Sequence, residues 1–189
     1  PINSGVFSLV KDRFQDLIWI ATDGQGVYLY SNPLYSIKSM VLSNYTEKIE
    51  RPVRAIYLDD ERTFWVGTKG NGILKIYDYE FDKNISDCRA EVLTTSNSAL
   101  SSNAVYCFAK SHRNLLWIGD EEGLTYYSYR EKRIKSIPIR IGNEDFKYIH
   151  DIYETADSEL WLASVGMGVV KARIAGTPDN PVIVDAQRY

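Results

Sequence analysis

The sequence predicts an all-β protein: a β-propeller fragment with four blades, each a four-stranded antiparallel sheet. One pattern occurs four times, and each copy holds one of the chain's four tryptophans in the same column. The tryptophans are spaced by 46, 52 and 44 residues, a period typical of propeller blades. Each copy joins two apolar runs through a glycine turn, which is the pattern of a β-hairpin. The copies are LIWIATDGQGVYLY (17–30), FWVGTKGNGILKIY (64–77), LLWIGDEEGLTYYS (115–128) and LWLASVGMGVVKAR (160–173).

A shorter apolar run precedes each hairpin and is predicted to form the innermost strand of its blade. The four runs are VFSLV (6–10), VRAIY (53–57), VYCFA (105–109) and IHDIY (149–153). Their third position is always small or short, as strands that converge on an axis require. Their second position is large and different in every copy, which indicates a tunable rim. That column holds Phe7, Arg54, Tyr106 and His150.

The rest of each blade follows from the polar turns and a weaker outer strand. Asp, Asn and Ser cluster between the inner strand and the hairpin, where they favour reverse turns. Outer strands are predicted over 36–42, 90–95, 133–139 and 181–187, which sets the blades at about 6–47, 53–98, 105–145 and 149–189. The tryptophan column is predicted to fill the core between neighbouring blades, with members Trp19, Trp65, Trp117 and Trp161.

Composition and charge exclude several classes of protein. The 189 residues are 44% hydrophobic and 25% charged, which is ordinary for a folded soluble chain. A net charge of −3 gives no basic field, so no nucleic-acid partner is expected. No apolar run has the length of a membrane span, and no signal peptide is recognisable. Cys88 and Cys107 are too few for a disulfide scaffold and are expected to stay unbridged.

No pattern for catalysis, metal binding or cofactor binding is present. His112 and His150 have no partner at metal-ligand spacing, and the Gly-x-Gly turns are not followed by a helix. The acidic run at 120–122 could pair across blades as in a glycosidase, although acids on turns are commonly solvated. The chain is therefore predicted to be non-catalytic, with no cofactor and no metal.

The repeat resembles the two-component regulator propeller repeat. The stretches VRAIYLDDERTFWVGTKGNGILKIY (53–77) and SSNAVYCFAKSHRNLLWIGDEEGLTYYS (101–128) are similar to successive copies of it. The resemblance implies a segment of the periplasmic sensor region of a hybrid two-component system, with the membrane span, histidine kinase and response regulator outside the segment. It also implies an oligosaccharide ligand, a dimer of the full-length sensor, and further blades from the same or a second chain. The alternative is a structural or protein-binding propeller without a small-molecule site.

Strand direction predicts which end of the blades would hold a ligand. Because strands alternate in direction, the loop before the inner strand and the glycine turn lie at the same end. Residues there that suit ligand contact are Arg54, Tyr106, Tyr148, His150, Lys69, Asn71 and Asp120. A sugar site would combine aromatic platforms with a few polar groups at this end.

Overall fold

The computed structural model describes residues 2–31, 36–40, 51–79, 88–156 and 158–189, of which 36–40 by backbone alone. These residues form strands, turns and loops, and none of them is helical. The strands make four four-stranded sheets, numbered 1 to 4 along the chain, and one two-stranded sheet. Each large sheet has its strands in chain order and antiparallel. The predicted all-β class is therefore confirmed.

The strands have the following bounds. Sheet 1 contains β1 (Val6–Lys11), β2 (Leu17–Thr22), β3 (Val27–Ser31) and β4 (Ser36–Met40), and sheet 2 contains β5 (Val53–Leu58), β6 (Phe64–Thr68), β7 (Ile73–Ile76) and β8 (Ala90–Leu93). Sheet 3 contains β9 (Val105–Lys110), β10 (Leu115–Asp120), β11 (Leu124–Ser128) and β12 (Arg133–Ile137). Sheet 4 contains β15 (Ile149–Glu154), β16 (Glu159–Ser164), β17 (Gly168–Thr177) and β18 (Asn180–Arg188).

The prediction of four sheets needs a correction, because there is a fifth. The strands β13 (Arg140–Ile141) and β14 (Glu144–Asp145) pair as a small hairpin inside the range predicted for the third blade. Gly142 lies in the turn between them with φ of 63°, in the left-handed region that favours glycine. Strands of two residues are too short to show the alternation by which longer strands are recognised. No sheet in the described residues closes on itself.

The chain divides into two compact units, Pro1–Leu93 and Thr94–Tyr189. The first unit holds sheets 1 and 2, and the second holds sheets 3 and 4 with the small hairpin. Each unit has its own apolar core. In the first, the Trp19 ring of sheet 1 stacks on Phe64 of sheet 2, with ring centroids 4.0 Å apart. In the second, Trp117 meets Tyr126 edge to face at 5.8 Å.

The four tryptophans predicted to form the core differ in burial. Trp19, Trp65 and Trp117 have no exposed surface, whereas Trp161 is half-buried, contrary to the expectation for this position. The Trp161 ring lies beside Tyr189, itself 64% exposed, with Lys171 Nζ 5.6 Å from the ring centroid.

The polar turn before each tryptophan strand anchors the indole in sheets 1 and 2. The Asp59 Oδ1 atom accepts hydrogen bonds from the backbone N–H groups of Glu61 and Thr63, while Oδ2 accepts one from Trp65 Nε1 at 2.8 Å. Asp12 holds Trp19 Nε1 in the same way at 3.1 Å. In sheet 3 the equivalent position is Ser111, and the acceptor for the indole comes instead from sheet 4. The polar turns therefore tie buried indoles as well as reversing the chain.

Candidate functional site

A β-bulge recurs at the same position of every innermost strand. In sheet 3, Val105 pairs with Asp120 and Cys107 pairs with Gly119, so that the register skips Tyr106. The same shift in register occurs in the other three large sheets. Bulges bend a strand and redirect a side chain, and they are common next to functional sites. The register skips one residue in each inner strand, and these residues, called the bulge residues below, are Phe7, Arg54, Tyr106 and His150.

The small residue after each bulge allows the inner strand to approach its neighbour closely. A Cβ atom added at Gly119 would lie 2.5 Å from Cys107 Sγ and 2.6 Å from the Ile149 carbonyl oxygen. Cys107 Sγ is itself 3.6 Å from that oxygen and is buried. A larger residue than glycine at position 119 therefore does not fit between these strands.

The bulge residues of each unit contact one another. In unit Thr94–Tyr189, the rings of Tyr106 and His150 stack with centroids 4.1 Å apart and planes 19° apart. In unit Pro1–Leu93, the Arg54 guanidinium carbon lies 4.1 Å from the centroid of the Phe7 ring. Phe7 and His150 are exposed, whereas Arg54 and Tyr106 are half-buried. Each unit thus carries one flat, π-bearing pair that reaches solvent.

The two loops predicted to lie at this end do meet there. In sheet 2, the Lys69 N–H donates to the Pro52 carbonyl at 2.9 Å, which joins the glycine turn to the loop before the inner strand. Equivalent bonds run from Asp23 to Gly5, from Glu121 to Ala104 and from Val165 to Tyr148. This end of each unit, with its bulge residues, is called the bulge end.

In unit Thr94–Tyr189, Tyr148 completes the bulge end. Its N–H donates to the Glu121 carbonyl of sheet 3 at 3.0 Å, and its own carbonyl accepts from Val165 of sheet 4 at 3.2 Å. Tyr148 has a φ of 55° and its residue is 42% exposed. A left-handed tyrosine is an unusual backbone conformation, which both sheets hold in place. The bulge end of this unit therefore presents the aromatic side chains of Tyr106, His150 and Tyr148 within a span of two strands.

In unit Pro1–Leu93, the other predicted residues divide by role. Lys69 is exposed after β6. Asn71 is half-buried, and its Oδ1 accepts the backbone N–H of Arg51 at 3.0 Å. The Arg51 side chain lies across Gly70, whose φ is 119°. Asn71 therefore fixes the loop, while Arg51 and Lys69 carry charge on its surface.

Asp120 does not serve as an exposed ligand contact, which corrects its predicted place at the site. It has no exposed surface. Its Oδ1 accepts backbone bonds from Glu122 and Gly123, and its Oδ2 accepts from Ser101 Oγ at 2.6 Å. Burial raises the pKa of the Asp120 carboxyl, and these hydrogen bonds oppose the shift. The sheet 2 residue in this column, Thr68, organises its turn in a similar way, so the column is structural.

The arrangement supplies aromatic surface and hydrogen-bonding groups. Within the described ranges, no group of three His, Cys, Asp or Glu side chains could hold a metal ion. Cys88 and Cys107 are both free thiols, and burial raises the pKa of the Cys107 thiol. Over the same ranges, no helix has the length and apolar character that crossing a bilayer requires. The chemistry at the bulge end is suited to binding.

Solved structures share this fold over nearly the whole chain. The extracellular domain of BT3049 from B. thetaiotaomicron, named as a hybrid two component system, has a TM-score of 0.68 at 22% identity over 97% of this chain. PorZ, a bacterial surface component of the type-IX secretion system of Porphyromonas gingivalis, has a TM-score of 0.69 at 14% identity over 99%. The Cps50 (Swd1) β-propeller domain of Myceliophteria thermophila has a TM-score of 0.63 at 13% identity over 97% of this chain. These likenesses establish sheets of the propeller type.

Comparisons of sequence give less information about this chain than the comparisons of structure do. No protein-family model matches the chain. Among curated proteins, translation initiation factor 6 of Saccharolobus solfataricus is 30% identical over 148 residues, which is 71% of this chain and 61% of that factor. The chain also covers only 22%, 28% and 60% of the three solved chains, in the order given above. It corresponds to part of each relative.

Proposed function

We propose that this chain is a non-catalytic segment of the extracytoplasmic, periplasmic sensor region of a hybrid two-component signalling protein. Any kinase activity lies outside it. The likeness to the BT3049 extracellular domain supports the proposal at the level of fold. The resemblance of the repeats to the two-component regulator propeller repeat supports it at the level of sequence.

The sensing role rests on one observation: the bulge in every innermost strand. A bulge interrupts the regular ladder, bends the strand and redirects a side chain. Four copies of it, each at the one position that holds a large and different side chain, are typical of a scaffold that varies its surface. In unit Thr94–Tyr189, the side chains at this end are the stacked Tyr106 and His150 and the exposed Tyr148. Aromatic faces with nearby polar groups suit the apolar faces of sugar rings. The proposed ligand is therefore a glycan-derived oligosaccharide.

The experiment is calorimetric titration of the chain with a panel of neutral oligosaccharides derived from plant and host glycans. Replacing Tyr106 or His150 by Ala removes one half of the stack and should weaken binding by about 10-fold, equivalent to about 1.4 kcal/mol. Both variants should keep the wild-type unfolding midpoint, since these side chains are not enclosed in the core.

Tyr153→Ala is the matched control. Tyr153 lies in the same strand as His150 and is 66% exposed, away from the bulge. It should bind like the wild type. An equal loss of affinity in all three variants, or no binding by any of the panel, would contradict a sugar site at this bulge end.

A second function, as a structural or protein-binding segment, is favoured by exposed apolar side chains on the first and last large sheets. Leu9 on β1 is 64% exposed, and Val165 after β16 is 63% exposed. Faces like these suit contact with further blades of the same or a second chain. Light scattering on the chain and on the full-length sensor tests this: a dimer of the longer protein is expected, and Leu9→Ser should not alter the monomer's fold.

A further inference from the structure

We infer that the bulge end of unit Pro1–Leu93 binds an anionic group, a carboxylate or sulfate on a small ligand, through Arg54. This site is separate from the aromatic one proposed above and does not depend on it. The inference starts from the Arg54 Nε–H, which is buried and has no hydrogen-bond partner in the described residues. Buried donors are nearly always paired, and an unpaired one on a charged group is costly.

Among the described residues, the Arg54 side chain is held by packing and not by a hydrogen bond. Its guanidinium lies over the Phe7 ring, with Cζ 4.1 Å from the ring centroid, which is the geometry of a cation–π contact. This contact places the guanidinium on the ring but leaves its Nε–H without an acceptor in the described part of the chain. Since no hydrogen bond fixes the group, it can turn on the ring face and offer two N–H groups side by side. Carboxylate and sulfate oxygens accept such a fork in a bidentate way.

Two further cations lie on the loops at this end of unit Pro1–Leu93. Arg51 is exposed before the strand that carries Arg54, and its side chain crosses Gly70. Lys69 is exposed and joined to the same loop by the bond from its N–H to the Pro52 carbonyl. None of the three cations forms an ion pair with another described residue. In a chain of net charge −3, these three cations, Arg54 on β5 and the other two on the adjoining loops, mark a local positive field among the described residues.

The two pairs of bulge residues therefore differ in the kind of ligand that they could bind. Tyr106 and His150 present aromatic faces, whereas Phe7 and Arg54 present a ring beneath a cation. An inorganic anion and the acid group of a sugar share the chemistry that Arg54 would recognise.

Side-chain NMR of the ¹⁵N-labelled chain tests the inference directly. The Nε–H resonance of Arg54, assigned by its loss in Arg54→Gln, is followed during titration with sodium sulfate and, separately, with trigalacturonate. Sodium chloride of matched ionic strength and a neutral galactose trisaccharide serve as blanks. A saturable shift with sulfate alone indicates a site for inorganic anions, and one with trigalacturonate alone indicates an acidic sugar. Either result supports the inference.

Arg62 provides a matched control within the same unit. Its guanidinium lies over the Phe14 ring at 4.5 Å, but in the turns at the other end of the strands. Its resonance should not move with either anion. Phe7→Leu should weaken the Arg54 response by about 2- to 5-fold by removing the ring that orients the cation. No saturable shift at Arg54 with either anion, or equal shifts at Arg54 and Arg62, would overturn the site while leaving the aromatic site untouched.

Discussion

Removing the Glu154 carboxylate should destabilise unit Thr94–Tyr189 far more than a typical surface change. Glu154 ends the inner strand of sheet 4, and its side chain is only 1% exposed. Its Oε2 accepts from Trp117 Nε1 of sheet 3 at 2.7 Å and from the His112 N–H at 3.2 Å. Arg113 Nε lies 3.8 Å from Oε1. One carboxylate thus joins two sheets through a buried indole.

The size of the effect follows from the groups left behind. In Glu154→Ala, the Trp117 N–H remains in a site without solvent access, which costs about 1–3 kcal/mol, and the lost His112 bond adds about 1 kcal/mol. The free energy of unfolding should therefore fall by about 2–4 kcal/mol. Glu154→Gln keeps a carbonyl acceptor and should lose less.

Urea denaturation followed by fluorescence measures the change, provided that the slope m is the same in all variants. A double-mutant cycle with Trp117→Phe isolates the hydrogen bond: once the indole N–H is gone, losing Glu154 should cost at least about 1 kcal/mol less. The control is Glu159→Ala. Glu159 pairs with Lys171 at 2.9 Å near the surface, so its removal should lower the free energy of unfolding by under about 1 kcal/mol. A loss below about 0.5 kcal/mol in Glu154→Ala, or an additive cycle, would refute the reasoning.

Three further outcomes are expected. Trp65→Ala should cost about 3–5 kcal/mol by urea denaturation and Trp161→Ala clearly less, because Trp161 is half-buried; equal losses would contradict the difference in burial. Burial raises the pKa of Asp120, so the folded chain holds that proton more tightly and stability is lost as pH rises through the folded pKa. Asp120→Asn should therefore match or exceed the wild type at pH 7, with the advantage shrinking towards about pH 3.5; a large loss at pH 7 would show that the turn needs the charge. Thiol titration of denatured, never-reduced protein should find both Cys88 and Cys107 free; a monomer with no free thiol would contradict the strand order.

The repeated sheets could be predicted from local pattern alone. A hairpin is specified by residues close in sequence: two β-prone runs, a glycine turn such as that with Gly70 and Gly72 at positive φ, and a polar turn before the tryptophan. The small third position of the inner strand also followed from the sequence, and the contact of Cys107 with Gly119 shows its cause. Four aligned copies made each of these signals stronger. The fifth, two-stranded sheet was not predicted, and no sheet of the described residues closes on itself.

The contacts of the candidate site depended on the tertiary structure. The variable column pointed to Phe7 and Arg54, but a bulge is a mismatch between two strands and leaves no mark in either one alone. Glu154 was missed because its partner Trp117 lies 37 residues earlier in the chain, on another sheet. The burial of Asp120 could not be predicted from its residue type, because an aspartate in a turn is usually solvated. Packing in the folded chain removes it from solvent. The sequence therefore determined the strands and turns, whose causes are local, while the packing of sheet against sheet decided which polar and aromatic side chains became structural and which reached solvent.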